Sequence, residues 1–133
     1  MPETVSVPGT EAGVRMAIAA LDAWCRQHRV SDDTRRRMLT SMDEVLSNIV
    51  RHGFADRAGE IEIKLVYDGK TVSAAVADSA AEFNPLTQPP PDVTAPLDAR
   101  TPGGLGIALV RALAANVRYE RRGNCNVLTM TWT

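Results

Sequence analysis

From Thr4 to Val7 polar and apolar residues alternate, the period of a half-buried strand, and Pro8-Gly9 then interrupts the chain. Val14, Ala17, Ile18, Leu21 and Cys25 recur at helical spacing. Thr10 can cap that helix, Glu11 suits its positive end, and Gly13 weakens it modestly. A second helix is predicted from Ser31, with Asp32 and Asp33 in its first turn and an apolar stripe of Met38, Met42, Val45, Leu46 and Ile49. It should end near His52-Gly53, where Gly53 can take the left-handed conformation. Ile61, Ile63, Leu65 and Tyr67 then alternate with Glu62 and Lys64, and Asp68-Gly69 turns the chain into a second strand, Val72 to Ala77.

The segment from Ser79 to Pro102 is polar and carries Pro85, Pro89-Pro90-Pro91, Pro96 and Pro102. Proline at that density excludes a regular helix or a central strand, and a loop this long is usually a functional lid or disordered. Gly103-Gly104-Leu105-Gly106 then opens a short helix with Ile107, Leu109, Val110 and Leu113 on it. Two strands close the chain, Val117 to Arg121 and Val127 to Trp132, joined at Gly123-Asn124. The order β-α-α-β-β-loop-α-β-β predicts an α+β two-layer sandwich: a mixed, mostly antiparallel sheet covered on one face by three helices.

Composition narrows the picture little. With 133 residues, the chain fits a single domain, residues 1–133. A net charge of -1 gives no global electrostatic reason to expect nucleic acid or an anionic membrane as partner. Cys25 and Cys125 form no Cys-x-x-Cys motif and read as two reduced thiols in a cytoplasmic protein. Neither a signal peptide nor a membrane-spanning run is expected.

Three groupings could carry chemistry. Glu44, Asn48 and His52 stand four residues apart, on one side of the second helix and beside its apolar stripe. Their oxygens suit Mg²⁺, and a carboxylate can act as general base. Asp78 ends an apolar strand, where a carboxylate can accept from an exocyclic amine such as that of adenine. The glycines from Gly103 to Gly106 allow close backbone approach, and a helix N-terminus offers free N–H groups to phosphate. Each has a plain reading alone: a solvated helix face, a turn residue, a hinge. Gly69-Lys70-Thr71 is not a Walker A tail, because Lys64 stands where its first glycine should be. The glycines after the loop are no dinucleotide fingerprint either, since no βαβ unit surrounds them.

Together these groupings resemble the N, G1 and G2 boxes of the GHKL ATPase superfamily, and most closely those of the bacterial anti-sigma-factor serine kinases. The residues that carry the resemblance are Glu44 to Asn48 with His52-Gly53-Phe54, Asp78 with Phe83-Asn84-Pro85, Gly103 to Ile107, and the terminal hairpin Tyr119 to Met130 with Asn124 to Thr129. The resemblance implies the Bergerat fold, ATP and Mg²⁺ as cofactors, and an ATP lid over about residues 79–106. It implies that Glu44 activates a protein serine, that Asn48 holds Mg²⁺, that Asp78 binds the adenine amino group and that Gly104 and Gly106 close over the phosphates. Nucleotide contacts are also implied for His52, Ala80, Phe83, Gly103, Leu105, Ile107 and Thr129. The implied substrate is a serine of an anti-sigma-factor antagonist (STAS-like) protein. A sigma factor or other effector is the second partner, and relatives imply a homodimer.

One position departs from the pattern. The family's glycine two residues after the aspartate is Ala80 here. If that backbone needs a positive φ, alanine costs roughly 1–2 kcal/mol and weakens nucleotide binding. The competing readings are a binding module that sequesters a regulator without kinase activity, and a domain of a histidine kinase pathway. Elsewhere, Arg35-Arg36-Arg37 reads as a solvated helix face, His28 as a favourable helix-end charge, and Trp24 and Trp132 as core anchors.

Overall fold

The computed structural model describes residues 3–53, 59–87 and 104–133. They form β1 (Glu3–Pro8), α1 (Glu11–Gln27), α2 (Asp32–Gly53), β2 (Glu60–Tyr67), β3 (Val72–Asp78), α3 (Gly104–Leu113), β4 (Asn116–Arg122) and β5 (Cys125–Trp132). A single 3-10 turn lies at Pro85–Thr87. The strands make one sheet in the order β1-β2-β3-β5-β4, and each neighbouring pair is antiparallel. The expected α+β sandwich of one sheet and three helices forms, and among the described residues every strand pair is antiparallel, so the sheet is not mixed. Most of the expected lid, residues 88–103, lies outside the described residues.

Local chemistry sets the element boundaries. The Thr10 hydroxyl accepts from the Gly13 N–H at 3.0 Å, and the Ser31 hydroxyl from the Thr34 N–H at 3.2 Å, so both expected caps form. The carboxylate of Asp68 accepts from the N–H groups of Thr71 and Lys70, which turns β2 into β3 and holds its carboxyl below the usual carboxylate range. Gly69 and Gly123 take positive φ in the two hairpin turns. The α1–α2 corner is less conventional. Arg29 sits at φ 59°, with Val30 N–H bonded to Cys25 O and Arg29 N–H to Arg26 O. That is a Schellman ending built on an arginine where glycine is usual.

One face of the sheet is buried. Ile61, Ile63 and Leu65 on β2, Val72, Ala74 and Val76 on β3, and Leu128, Met130 and Trp132 on β5 point toward the helices. Leu21, Trp24, Met38, Met42 and Leu46 meet them from α1 and α2. Both tryptophans are core residues. The Trp132 indole donates to the buried Ser41 hydroxyl at 3.2 Å, while no partner for the Trp24 indole N–H occurs among the described residues. Cys25 is buried against Met38, and burial pushes its thiol up to about 11, so it stays neutral; neither cysteine is in a disulfide.

The arginine run is more than a solvated face. Arg35 bonds Asp22 of α1 at 2.7 Å. Arg37 donates to the carbonyl of Leu113 at the end of α3 and to that of Thr133. Arg36 alone is exposed in the expected way. No helix among the described residues is long and apolar enough to cross a membrane.

Gly13 is buried where α1 passes the end of β1, and a β-carbon there would stand 1.8 Å from the Pro8 carbonyl oxygen. Gly→Ala in an open helix stabilises by about 1 kcal/mol. At this site Gly13→Ala is expected to destabilise by about 1–3 kcal/mol, because backbone rather than a flexible side chain must give way. Denaturant unfolding of both proteins checks this; a more stable variant would show that the β1–α1 junction yields.

Candidate functional site

The site is built on one cross-strand row at the end of the buried sheet face. Register places Val7, Ile61, Asp78, Asn126 and Arg121 side by side on β1, β2, β3, β5 and β4. The row begins apolar and ends as a carboxylate, a carboxamide and a guanidinium. Asp78 is buried at 5% exposure and Asn126 at 6%. Buried polar groups of this kind need partners, and they supply them to one another. Asp78 Oδ1 accepts from Asn126 Nδ2 and from the Ala80 N–H, both at 3.0 Å. No partner for Oδ2 occurs among the described residues.

Beside this row α2 runs along the sheet, bonded to β5 through Ser41 and reaching Asn48 near Asp78. A cleft open to solvent lies between them. Val45, Asn48 and Ile49 form its helix wall. Asp78, Ala80, Ala81, Phe83 and Pro85 form the loop wall. Ile107 closes it from α3, and Tyr119, Asn126 and Leu128 form its sheet side. Apart from the amides, the carboxylate and the phenol, the lining is apolar.

Of the residues expected from sequence, the structure brings Asn48, Asp78, Ala80, Phe83 and Ile107 into this cleft. Glu44 lies one helical turn before Asn48, about 6 Å along α2. It is half-buried outside the cleft lining, and its carboxylate has no partner among the described residues. Gly104, Leu105 and Gly106 form the first turn of α3, as expected, but their side-chain surroundings, the His52 ring and all of Gly103 lie outside the described residues.

Thr129 is a correction. On β5 the buried residues are Asn126, Leu128, Met130 and Trp132, so Thr129 faces the other side of the sheet from Asp78. Asn126 takes the place in the cleft that Thr129 was expected to hold. The signal was present: the alternation of Leu128, Met130 and Trp132 already places Asn126 inward and Thr129 outward. Tyr119 and Arg121 were also missed, because an edge strand rich in charge reads as surface.

Asn48 is buried, and its Oδ1 accepts from Arg51 Nη2 at 2.8 Å. The oxygen is thus aimed at a cationic donor, which a metal ion would replace. No group of three or more His, Cys, Asp or Glu side chains that could hold a metal occurs among the described residues. A cation here would take one amide oxygen from the protein and the rest from water or ligand oxygens, the habit of Mg²⁺ with phosphates. The residues fit that ion.

Ala80 does not meet the condition for strain, a positive φ. Among the described non-glycine residues only Arg29 has a positive φ, so Ala80 lies in backbone territory open to any residue. Its N–H is bonded to Asp78 and its carbonyl accepts from Arg121 Nη1 at 3.0 Å. The loop has settled on alanine.

Comparison with known proteins identifies the family and the fold. Residues 7–132 match the family described as the histidine kinase-like ATPase domain. The serine/threonine-protein kinase BtrW of Bordetella bronchiseptica is 32% identical over 115 residues, which covers 86% of this chain and 77% of BtrW. Among solved structures, the RsbU and RsbW domains of Rv1364c from Mycobacterium tuberculosis superpose with a TM-score of 0.71 at 20% identity. That match covers 99% of this chain, which spans only 32% of that one. The histidine kinase domain of the blue-light activated kinase EL346 from Erythrobacter litoralis gives a TM-score of 0.57 at 16% identity, covering 91% of this chain and 59% of its own.

Since Ala80 is unstrained, Ala80→Gly is expected to leave adenine-nucleotide affinity within about twofold. It should lower stability by about 0.4–1 kcal/mol through the added freedom of the unfolded chain. Paired titration and thermal unfolding read both. A tenfold gain in affinity would mean that the alanine methyl obstructs the base.

Proposed function

Because the chain belongs to the histidine kinase-like ATPase family, we propose that it is an ATP-dependent protein serine kinase of the anti-sigma-factor type. Its substrate is a serine of a STAS-like antagonist protein in the cytoplasm, and phosphorylation switches its partner between that protein and a sigma factor or similar effector. One observation carries this reading: the Asp78 carboxylate with its open oxygen and Asn48 of α2 line one cleft, and Glu44 lies one helical turn from Asn48 on the same helix. The name of BtrW, a serine/threonine-protein kinase, supports the choice of protein serine over a histidine-kinase pathway.

The geometry supports the following division of labour. Asp78 Oδ2 accepts from the exocyclic amine of the base, while Ile49, Phe83 and Leu128 offer apolar contact to the ring. Asn48, released from Arg51, would hold Mg²⁺, which neutralises phosphate charge when bound. The first turn of α3 presents backbone N–H groups suited to phosphate oxygens. Glu44 takes the proton of the serine hydroxyl as its oxygen bonds to the γ-phosphorus. The bond from that phosphorus to the bridging oxygen breaks, and ADP leaves with the electron pair. Transfer of this kind needs positioning and charge stabilisation more than covalent help.

Incubation with labelled ATP, Mg²⁺ and candidate antagonist proteins tests the reading directly; no transfer to any of them, with ATP bound, would favour a sequestering module. Within an active system Glu44→Gln keeps the shape and removes the base. It is expected to lower the transfer rate by about 10²–10⁴-fold, with ATP affinity within a few-fold. An unchanged rate would remove Glu44 from the chemistry. Asn48→Ala should weaken Mg-ATP more than metal-free ATP, since only the former uses the amide oxygen. Calorimetry with and without Mg²⁺ separates the two, and equal losses would assign Asn48 to packing.

A further inference from the structure

Asn126 lies in the terminal hairpin but was given no role from sequence, yet it makes five hydrogen bonds in the cleft. Its Oδ1 accepts from Tyr119 Oη at 2.6 Å, from the Phe83 N–H at 3.2 Å and from Arg121 Nη1 at 3.2 Å. Its Nδ2 donates to Asp78 Oδ1 and to the Ala81 carbonyl, both at 3.0 Å. These bonds use both amide hydrogens and more than both lone pairs, so Asn126 has nothing left to offer a ligand.

The amide orientation is also decided. Two of the groups facing Oδ1, a backbone N–H and a guanidinium, can only donate. Both groups facing Nδ2, a carboxylate and a carbonyl, accept. Rotating the amide by half a turn would set donor against donor and acceptor against acceptor. Asn126 is therefore an adapter between a donor-rich side, supplied by β4 and the loop, and an acceptor-rich side, supplied by β3 and the loop. No other uncharged side chain of this length presents an acceptor and two donors in one plane.

We propose that Asn126 is a positioning residue that sets base specificity by locking the Asp78 carboxylate with Oδ2 toward the cleft. The inference rests on the ATP-binding reading above. With Oδ1 held from two sides, the carboxylate cannot turn, and Oδ2 is a fixed acceptor. An exocyclic amine, as on adenine, satisfies it. A carbonyl edge, as on guanine, would meet it acceptor to acceptor, and a built hydrogen-bond site rejects such a mismatch strongly. Without Asn126 the carboxylate keeps only the Ala80 N–H on that side, can turn and bind water, and must be ordered anew by the ligand.

The test compares ATP and GTP titrations of the wild-type protein, Asn126→Ala and Asn126→Asp, each checked for a cooperative thermal transition. Asn126→Asp keeps the shape and the acceptor for Tyr119, Phe83 and Arg121, and replaces only the donors to Asp78 and Ala81. Both variants are expected to lose about tenfold or more in ATP affinity, the effect of one charge-assisted hydrogen bond. GTP affinity should change by no more than about twofold, so the preference for adenine narrows by about tenfold. A merely structural role would weaken both nucleotides alike. Folded variants whose ATP-to-GTP ratio stays within about threefold of wild type would overturn the proposal while leaving ATP binding standing. Loss of the unfolding transition in both would overturn it too, assigning Asn126 to stability alone. A wild-type protein that binds no ATP would remove the reading and this inference together.

Discussion

The hydrogen bond from Asn126 to Asp78 joins the central strand β3 to its neighbour β5 where the apolar core gives way to the cleft. Inward from it, the same strands present Val76 against Leu128 and Ala74 against Met130. A carboxylate at the end of such a strand is costly unless its neighbours satisfy it. The neighbouring strand does so with an amide, and the edge strand completes the row with Arg121. The loop after β3 is drawn into the same set of bonds through Ala80, Ala81 and Phe83. One buried charge thus dictates the chemistry of three strands and the path of the loop.

The other half of the site depends on where α2 lies. Its placement is fixed at a distance from the cleft, by Ser41 against Trp132, by Arg37 against the end of α3, and by Arg35 against Asp22 of α1. Hydrogen bonds from Arg35 first and Arg26 second hold the Asp22 carboxyl below its ordinary range. The contribution of that tie is present above the ordinary carboxylate pKa and fades as pH falls through the lowered one. Because Glu44 and Asn48 lie on the same rigid helix, every one of these ties also positions them.

Much of this could be read from the chain. Thr10 and Ser31 are caps whose chemistry is local, and the hairpins follow from Asp68-Gly69 and Gly123-Asn124. The places of Asn48 and Asp78 at the cleft were legible because one is set by a helix face and the other by a strand end. What escaped was set by partners distant in sequence. Asn126 has meaning only opposite Asp78, and Arg121 only beside Ala80 and Asn126. The uses of Arg35 and Arg37 depend on Asp22 and Leu113, which no periodicity brings near. Gly13 read as a weakness, and became a requirement only once Pro8 lay against it. The reading of Thr129 failed on parity, although the apolar alternation of β5 contained the answer.

The sheet order has a consequence for how the site comes into being. The pairs β2–β3 and β4–β5 are each local hairpins, whereas the seam between them joins Asp78 to Asn126 across 48 positions of sequence. Closing a long segment is entropically harder than closing a turn, and ladders of this kind slow folding. Asp78 belongs to one hairpin, and Asn126, Tyr119 and Arg121 to the other. A nascent chain that has completed only its first hairpin carries the carboxylate without its brace. The braced carboxylate is therefore a property of the finished topology, gained in the same step that zips the seam between the hairpins.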